Sequence, residues 1–187
     1  MIVHTQVILL LLILAVTTWT DINYHRIPNI LSLGGIALAI ALHAWMAGAS
    51  GLLTGIGGTA VAMGIFLPFY LLHGMSAGDV KLMGTVGAFL GPHNAMLAAG
   101  LSLGAGGVLA ILILLARGGF GDLAKRYWAT FKCLFSTLKV IHQPPASGEV
   151  AAMKFPYAAA IGIGTLATLW WLGIIQDTAG FIISTIR

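Results

Sequence analysis

The stretch DVKLMGTVGAFLGP, residues 79–92, decides how many times the chain crosses a membrane. Its apolar part, residues 80–90, is only about half of the ~20 residues that a helix needs to span a bilayer. Gly91-Pro92 then interrupts it. A segment this short either forms a re-entrant helix or begins a spanning helix that kinks at the proline.

The composition places the whole chain in a bilayer. Of its 187 residues, 59% are hydrophobic and 7% are charged, with a mean hydropathy of +0.99. A soluble domain carries roughly 25% charged residues, whereas burying a charged side chain in the hydrocarbon core of a bilayer costs several kcal/mol. The sequence therefore predicts one all-α integral membrane domain over residues 1–187. The net charge of +4 is then interpreted through membrane topology and not through nucleic-acid binding.

Six apolar segments are candidates for transmembrane helices. They cover residues 3–20, 29–47, 51–72, 79–95, 96–116 and 155–175. The first resembles a signal peptide in hydrophobicity, but no Lys or Arg precedes it and no small-residue cleavage pattern closes it. We therefore expect it to be a retained helix.

Positive charges decide between the two interpretations of residues 79–92. If all six segments span, every Lys and Arg except Arg187 lies on one side of the membrane. If the fourth segment is re-entrant, the basic residues from Arg117 to Lys154 move to the other side and the split becomes nearly even. Cytoplasmic loops carry the excess of Lys and Arg. The sequence thus predicts six spans, an N-terminus outside, and a cytoplasmic loop over residues 117–154.

That loop carries a basic amphipathic pattern. Apolar residues recur at steps of three and four with basic residues between them: Leu123, Tyr127, Phe131, Leu134, Leu138 and Ile141, interspersed with Lys125, Arg126, Lys132 and Lys139. Such a helix lies on an anionic inner leaflet. We expect it to anchor the topology; a substrate-binding role is the alternative.

Two aspartates are the candidate catalytic residues. On the six-span topology, Asp21 ends the first helix and Asp79 starts the fourth, both at the cytoplasmic face. Two facing carboxylates cannot both ionise cheaply, so one keeps a proton while the other takes a proton from water. This is the arrangement of aspartic proteases, which needs neither a metal nor a cofactor. The single Cys133 excludes an internal disulfide and a cysteine-cluster metal site.

Structural roles for the same aspartates are the alternative. Asp79 suits a helix N-cap, and Asp21 can be neutralised at the interface by His25 or Arg26. An intramembrane acid nevertheless indicates function by default. Gly78, beside Asp79, leaves room for a substrate backbone to approach.

The chain resembles the type IV prepilin peptidases, and among them the short members that serve Flp-type (tight adherence) pili. Asp21, followed by five residues and then Ile27-Pro28-Asn29, is similar to the first aspartate motif of that family. Residues 77–82, AGDVKL, resemble its second, GxGD-type motif. Residues 154–157, KFPY, with Ile161 and Gly162, resemble the start of its last helix. Ser76 stands where the family usually has glycine, and would be strained if that position required a positive φ.

The resemblance implies a membrane aspartic endopeptidase of the bacterial cytoplasmic membrane that cleaves the basic leader from prepilins or pseudopilins. Asp21 and Asp79 would be its catalytic pair, on the cytoplasmic side. Lys81 would tune Asp79 or contact an acidic residue of the substrate, with inner-face topology as its ordinary alternative, and Pro156 and Tyr157 would position the last helix. Longer relatives methylate the new N-terminus through a cytoplasmic domain between their first two helices. The turn here is too short for one, so we expect no methylation.

Two other functions fit the same residues. A small proton- or cation-coupled transporter would use Asp79 as a relay site, although both acids lie at helix ends and no inverted repeat is evident. A non-catalytic assembly factor of a pilus or secretion machine would use the aspartates as helix caps. Ser76, in place of the family's usual glycine, is the feature that favours this alternative.

Overall fold

The structure is a computed structural model that describes residues 2–72, 74–116 and 157–178. Throughout these ranges the regular secondary structure is helical. The helices are α1 (Ile2–Tyr24), α2 (Asn29–Leu71), α3 (Ala77–Ala116) and α4 (Tyr157–Trp171). Contacts group residues 1–106 and 156–187 into one unit; of the other unit, residues 107–155, the described part is the end of α3. The predicted amphipathic helix lies outside the described residues.

Three of the described helices have the length and apolar composition of membrane spans. They are His4–Tyr24, Asn29–Leu71 and Ala77–Ile113, and the shorter Tyr157–Trp171 is also apolar. These helices agree with the predicted all-α membrane protein. The number of crossings and the orientation of the chain stay predictions.

α2 changes direction at Ala47 and Gly48. Gly48 has φ 58° and ψ −134°, a conformation that favours glycine. Beyond it, Gly51 packs against the backbone of His43 and Gly55 packs against Ile40. The second arm of α2 (residues 49–71) therefore runs back along the first arm (residues 29–46), and the kink falls at the boundary that the apolar segments predict.

α3 changes direction at Gly91, where φ is 74°. Pro92 follows and lacks the amide hydrogen that would continue the helix. Gly91 lies beside Thr54, near the start of the second arm of α2. Gly106 lies beside the ring of Tyr157, and that ring contacts Phe66 near the other end of the same arm. The chain thus runs away from Asp79 and then returns. The predicted kink at the proline is present, four residues before the predicted boundary between residues 95 and 96.

Side chains donate hydrogen bonds to two carbonyl groups on the N-terminal side of the break in α3. His43 Nε2 donates a hydrogen bond of 3.2 Å to the carbonyl oxygen of Phe89, and Asn94 Nδ2 donates one of 3.2 Å to that of Leu90. An unsatisfied carbonyl in hydrocarbon costs several kcal/mol. These two bonds reduce that cost beside the break.

The first arm of α3 (residues 77–90) is the centre of the fold. Residues 82–89 are all buried, which accounts for an apolar run without a polar face. Its closest neighbour is the second arm of α2: a Cβ atom on Gly58 would overlap the carbonyl group of Gly87, and the reverse holds. Small residues allow helices in membranes to approach this closely.

Asp21 and Asp79 lie at the same end of the helices, which we call the aspartate end. α4 runs antiparallel to α1, because Ala158 near its start contacts Asp21, whereas Thr178, in the helical residues 174–178 that follow α4, contacts His4. α3 starts at the aspartate end, where the loop after α2 leads into it. The order of the segments therefore brings two residues that are distant in sequence to one depth.

Candidate active site

Asp79 lies in the first turn of α3 and is only 5% exposed. Its Oδ2 atom accepts a hydrogen bond of 2.8 Å from the amide of Ser76, and its own amide donates one of 3.3 Å to Ser76 Oγ. This reciprocal pair is a capping box, in which Ser76 is the N-cap and the acid is the third helical residue. Asp79 is thus not the N-cap that the structural alternative proposed, although it does contribute to capping.

Ser76 fits its position without backbone strain. Among the described residues other than glycine, His25 is the one with a positive φ, 49°. Ser76 is therefore outside the left-handed region that favours glycine. Its hydroxyl group gives the departure from the family's usual glycine a local explanation, because it accepts a bond that glycine cannot.

Asp21 lies in the last turn of α1 and is 7% exposed. Its Oδ2 atom accepts a hydrogen bond of 3.1 Å from the amide of Ala158, in the first turn of α4. His25 lies within electrostatic range of this carboxylate. The partner that Asp21 binds is thus a backbone amide, at a helix N-terminus whose dipole favours negative charge.

The structure brings the two aspartates together. Asp21 lies within electrostatic range of Asp79, and Asp79 lies within the same range of the Tyr157 phenol. Each carboxylate has one oxygen bound by an amide at the start of a helix. Within the described residues, no hydrogen bond reaches the Oδ1 atom of either. Two carboxyl groups in this position are acid and base groups that proton-transfer chemistry can use.

The segments that follow Asp21 and surround Asp79 contact each other directly. A Cβ atom on Gly78 would lie 3.2 Å from Ile27 Cβ, so the space beside Gly78 is occupied by the residues that lead into α2. Lys81 Nζ donates a hydrogen bond of 3.0 Å to Asn29 Oδ1. Gly78 and Lys81 therefore connect the segment that carries the second aspartate motif to the segment that carries the first. Contacts of Gly78 and Lys81 with a substrate stay predictions.

Tyr157 is the first residue of α4 and is half-buried. Its ring packs on Gly106 and meets Phe66 edge to face, with ring centroids 6.1 Å apart. Pro156 lies outside the described residues.

The sequence pattern Ser-x-x-Asp at residues 76–79 is a capping signal that can be recognised without the structure. No sequence pattern signals the roles of the Ala158 amide or of Gly106, because tertiary packing alone brings these residues to the site.

Within residues 2–72, 74–116 and 157–178, no three His, Cys, Asp or Glu side chains are grouped as a metal site requires. The site described above is built from two carboxylates, backbone amides and one phenol. Its chemistry is that of acid and base groups.

Comparison with known proteins supports the resemblance. The sequence model of the type IV leader peptidase family matches residues 8–111, a range that contains both aspartate segments and ends before residues 154–162. The chain matches no curated protein and no solved structure. Since the family match covers more than half of the chain, the protein belongs to the type IV leader peptidase family.

Proposed function

We propose that this protein is a membrane-embedded aspartic endopeptidase that removes the basic leader from prepilins or pseudopilins of the Flp type. The family indicates a protease. The observation that carries the proposal is that Asp21 and Asp79, two nearly buried acids on different helices, lie within electrostatic range of each other. The lipid bilayer holds the enzyme, and the cytoplasmic interface is the proposed place of cleavage.

The two carboxyl groups share the work of hydrolysis. The ionised group removes a proton from water as the water oxygen attacks the peptide carbonyl carbon. The protonated group supplies the proton that the departing amine needs. The bonds from the amides of Ser76 and Ala158 hold one oxygen of each carboxylate, so little reorganisation is required in the transition state.

The position of the pair suits a prepilin. A prepilin has a basic leader in the cytoplasm followed by an apolar helix, so its cleavage site lies where cytoplasm and membrane meet. Asp21 ends one apolar helix and Asp79 begins another. Lys81, Gly78, Pro156 and Tyr157 are the residues that we expect to position the substrate beside them.

Co-expression with a Flp-type prepilin tests the proposal. Wild type, Asp21→Asn and Asp79→Asn are compared by the gel mobility and N-terminal sequence of the precursor. Asparagine keeps the shape of aspartate but cannot exchange its proton, so we expect cleavage to fall at least ~100-fold in both variants. Asp177→Asn is the matched control, since Asp177 is an exposed acid beyond the end of α4, far along the chain from its first turn. Normal processing by either site variant, at equal membrane levels, would remove that aspartate from the chemistry.

Cleavage without methylation is the second part of the proposal. Only residues 25–28 separate α1 from α2, which leaves no room for the cytoplasmic domain of longer relatives. We expect purified protein to transfer no methyl group from S-adenosylmethionine to a cleaved pilin. A labelled N-terminus in that assay would contradict this part alone.

A further inference from the structure

The start of α4 contacts the surroundings of both aspartates. The amide of Ala158 binds Asp21, and the adjacent Tyr157 lies within electrostatic range of Asp79. Asp21 and Asp79 belong to other helices, α1 and α3. A displacement of the first turn of α4 would therefore change the distance between the two carboxylates.

The ring of Tyr157 fixes that first turn against α2 and α3. A Cβ atom on Gly106 would lie 2.6 Å from the ring, a separation at which one group must move. The same ring also meets Phe66, which is fully buried, edge to face at an interplanar angle of 78°. The ring is thus a wedge between the second arm of α2 and α3, and it is continuous with the residue that holds Asp21.

We propose that Tyr157 is a positioning residue, whose ring sets the separation of Asp21 and Asp79 by holding the start of α4 against Gly106 and Phe66. This inference deepens the proposed function and rests on it. A smaller side chain would release the start of α4, and with it the amide that binds Asp21. A bulkier residue 106 would displace the same ring. Phenylalanine keeps the ring carbons that lie 2.6 Å from the Cβ position of Gly106 and loses only the hydroxyl oxygen, which lies 2.5 Å from it, so phenylalanine should largely replace tyrosine.

A distance measurement tests the inference without relying on activity. Spin labels are placed at Ile22→Cys and Ala77→Cys, two exposed positions beside Asp21 and Asp79, in a Cys133→Ser background of the full chain. Electron–electron resonance should give one narrow distance distribution in otherwise unmodified protein and in Tyr157→Phe. It should give a broadened or shifted distribution in Tyr157→Leu and Gly106→Ala. Unchanged distributions in both of these variants would overturn the inference.

Cleavage kinetics give the second measurement. We expect Tyr157→Leu and Gly106→Ala to lower kcat about 100-fold, the effect of a misplacement of about 1 Å, with KM little changed. The double variant should be no worse than Tyr157→Leu alone, because the new Cβ atom occupies vacated space. Tyr70→Ala, which removes an exposed tyrosine of α2 near the same end, is the control and should retain wild-type kcat.

The outcomes separate this inference from the proposed function. Absence of prepilin cleavage by wild type, together with altered distances in the variants, would refute the proposed function and leave the wedge intact. Cleavage by wild type with normal kcat in Tyr157→Leu and Gly106→Ala would refute the wedge alone. A loss of kcat in Tyr157→Phe as large as in Tyr157→Leu would also refute it, since the hydroxyl group would then be the active part.

Discussion

Ser76 and Asp79 bind each other across the first turn of α3. The amide of Ser76 donates to Asp79 Oδ2 at 2.8 Å, and the amide of Asp79 donates to Ser76 Oγ at 3.3 Å. A candidate catalytic carboxylate is therefore held by a capping box. The side-chain half and the backbone half of this pair can be separated by substitution, because only one of them uses the serine hydroxyl.

Substitution of Ser76 should change stability more than cleavage. Ser76→Ala removes the cap oxygen and should cost about 1 kcal/mol, whereas Ser76→Gly should cost only a few tenths. Both variants keep the backbone amide that binds Asp79. We therefore expect both to cleave prepilin within about threefold of wild type, as the lost cap is worth less than one factor of ten. Thermal unfolding in detergent and the precursor assay measure the two effects.

Ser50→Ala is the control for this prediction, since Ser50 is an exposed serine elsewhere in α2 that bonds to the carbonyl of Ala47. A Ser76→Gly variant that keeps its stability but loses cleavage would contradict the prediction. The hydroxyl group would then take part in the chemistry and not only in capping.

Much of this arrangement can be predicted from sequence. Charge and hydrophobicity place Asp21 and Asp79 at one end of the helices, because apolar segments of alternating direction return the chain to the same depth. The kink beside Pro92 follows from the missing amide hydrogen. These features are local in origin, or they depend only on the order of the segments.

The rest depends on packing that leaves no local pattern. Residues 82–89 are buried by protein, but a helix that faces lipid would have an equally apolar sequence, since lipid and protein interiors differ little in polarity. The break also brings the backbone of Gly91 beside the side chain of Thr54, a contact that no local pattern signals. The amide of Ala158 reaches Asp21 across 137 residues, and nothing near either residue signals that contact.

Gly87→Ala should destabilise the bundle strongly. The new Cβ atom would lie against the carbonyl group of Gly58 and 2.6 Å from Ala62 Cβ. Two helix backbones would have to separate, and overpacking of this kind costs about 1–3 kcal/mol. The measurement is the midpoint of thermal unfolding of the purified protein in detergent.

Gly64→Ala provides the matched comparison, because nothing lies within 4 Å of the Cβ position at Gly64 on the same helix arm as Gly58. It should be neutral or slightly stabilising. Equal midpoints for Gly87→Ala and wild type would show that the two arms are not in close contact.

His43→Ala should weaken the break in α3. The substitution removes the donor that binds the carbonyl oxygen of Phe89. A buried polar group without a partner costs about 1–3 kcal/mol. We expect a lower unfolding midpoint with little loss of cleavage, because the break lies at the opposite end of the first arm of α3 from Asp79.

His93→Ala separates this effect from the general loss of a histidine, since His93 is exposed beside the same break. It should leave the midpoint unchanged. If His43→Ala and His93→Ala melt together at the wild-type temperature, another donor satisfies the carbonyl of Phe89.

Lys81 should affect prepilin cleavage through its hydrogen bond to Asn29. Their hydrogen bond of 3.0 Å joins the segment after Asp21 to the helix that carries Asp79, and an exposed bond of this kind contributes about 0.5–1.5 kcal/mol. Lys81→Met and Asn29→Ala should therefore each lower kcat/KM by a few fold. The double variant should be no worse than the more affected single variant, because both remove one interaction.

Arg26→Met is the control, as Arg26 is an exposed cation in the turn between α1 and α2; its loss tests whether any positive charge at the aspartate end has the same effect. A different outcome would assign Lys81 another role. If Lys81→Met raises KM while Asn29→Ala is silent, the ammonium group contacts the substrate directly. If both are silent, the lysine serves topology, and relocating it should alter the orientation of the chain and not its turnover.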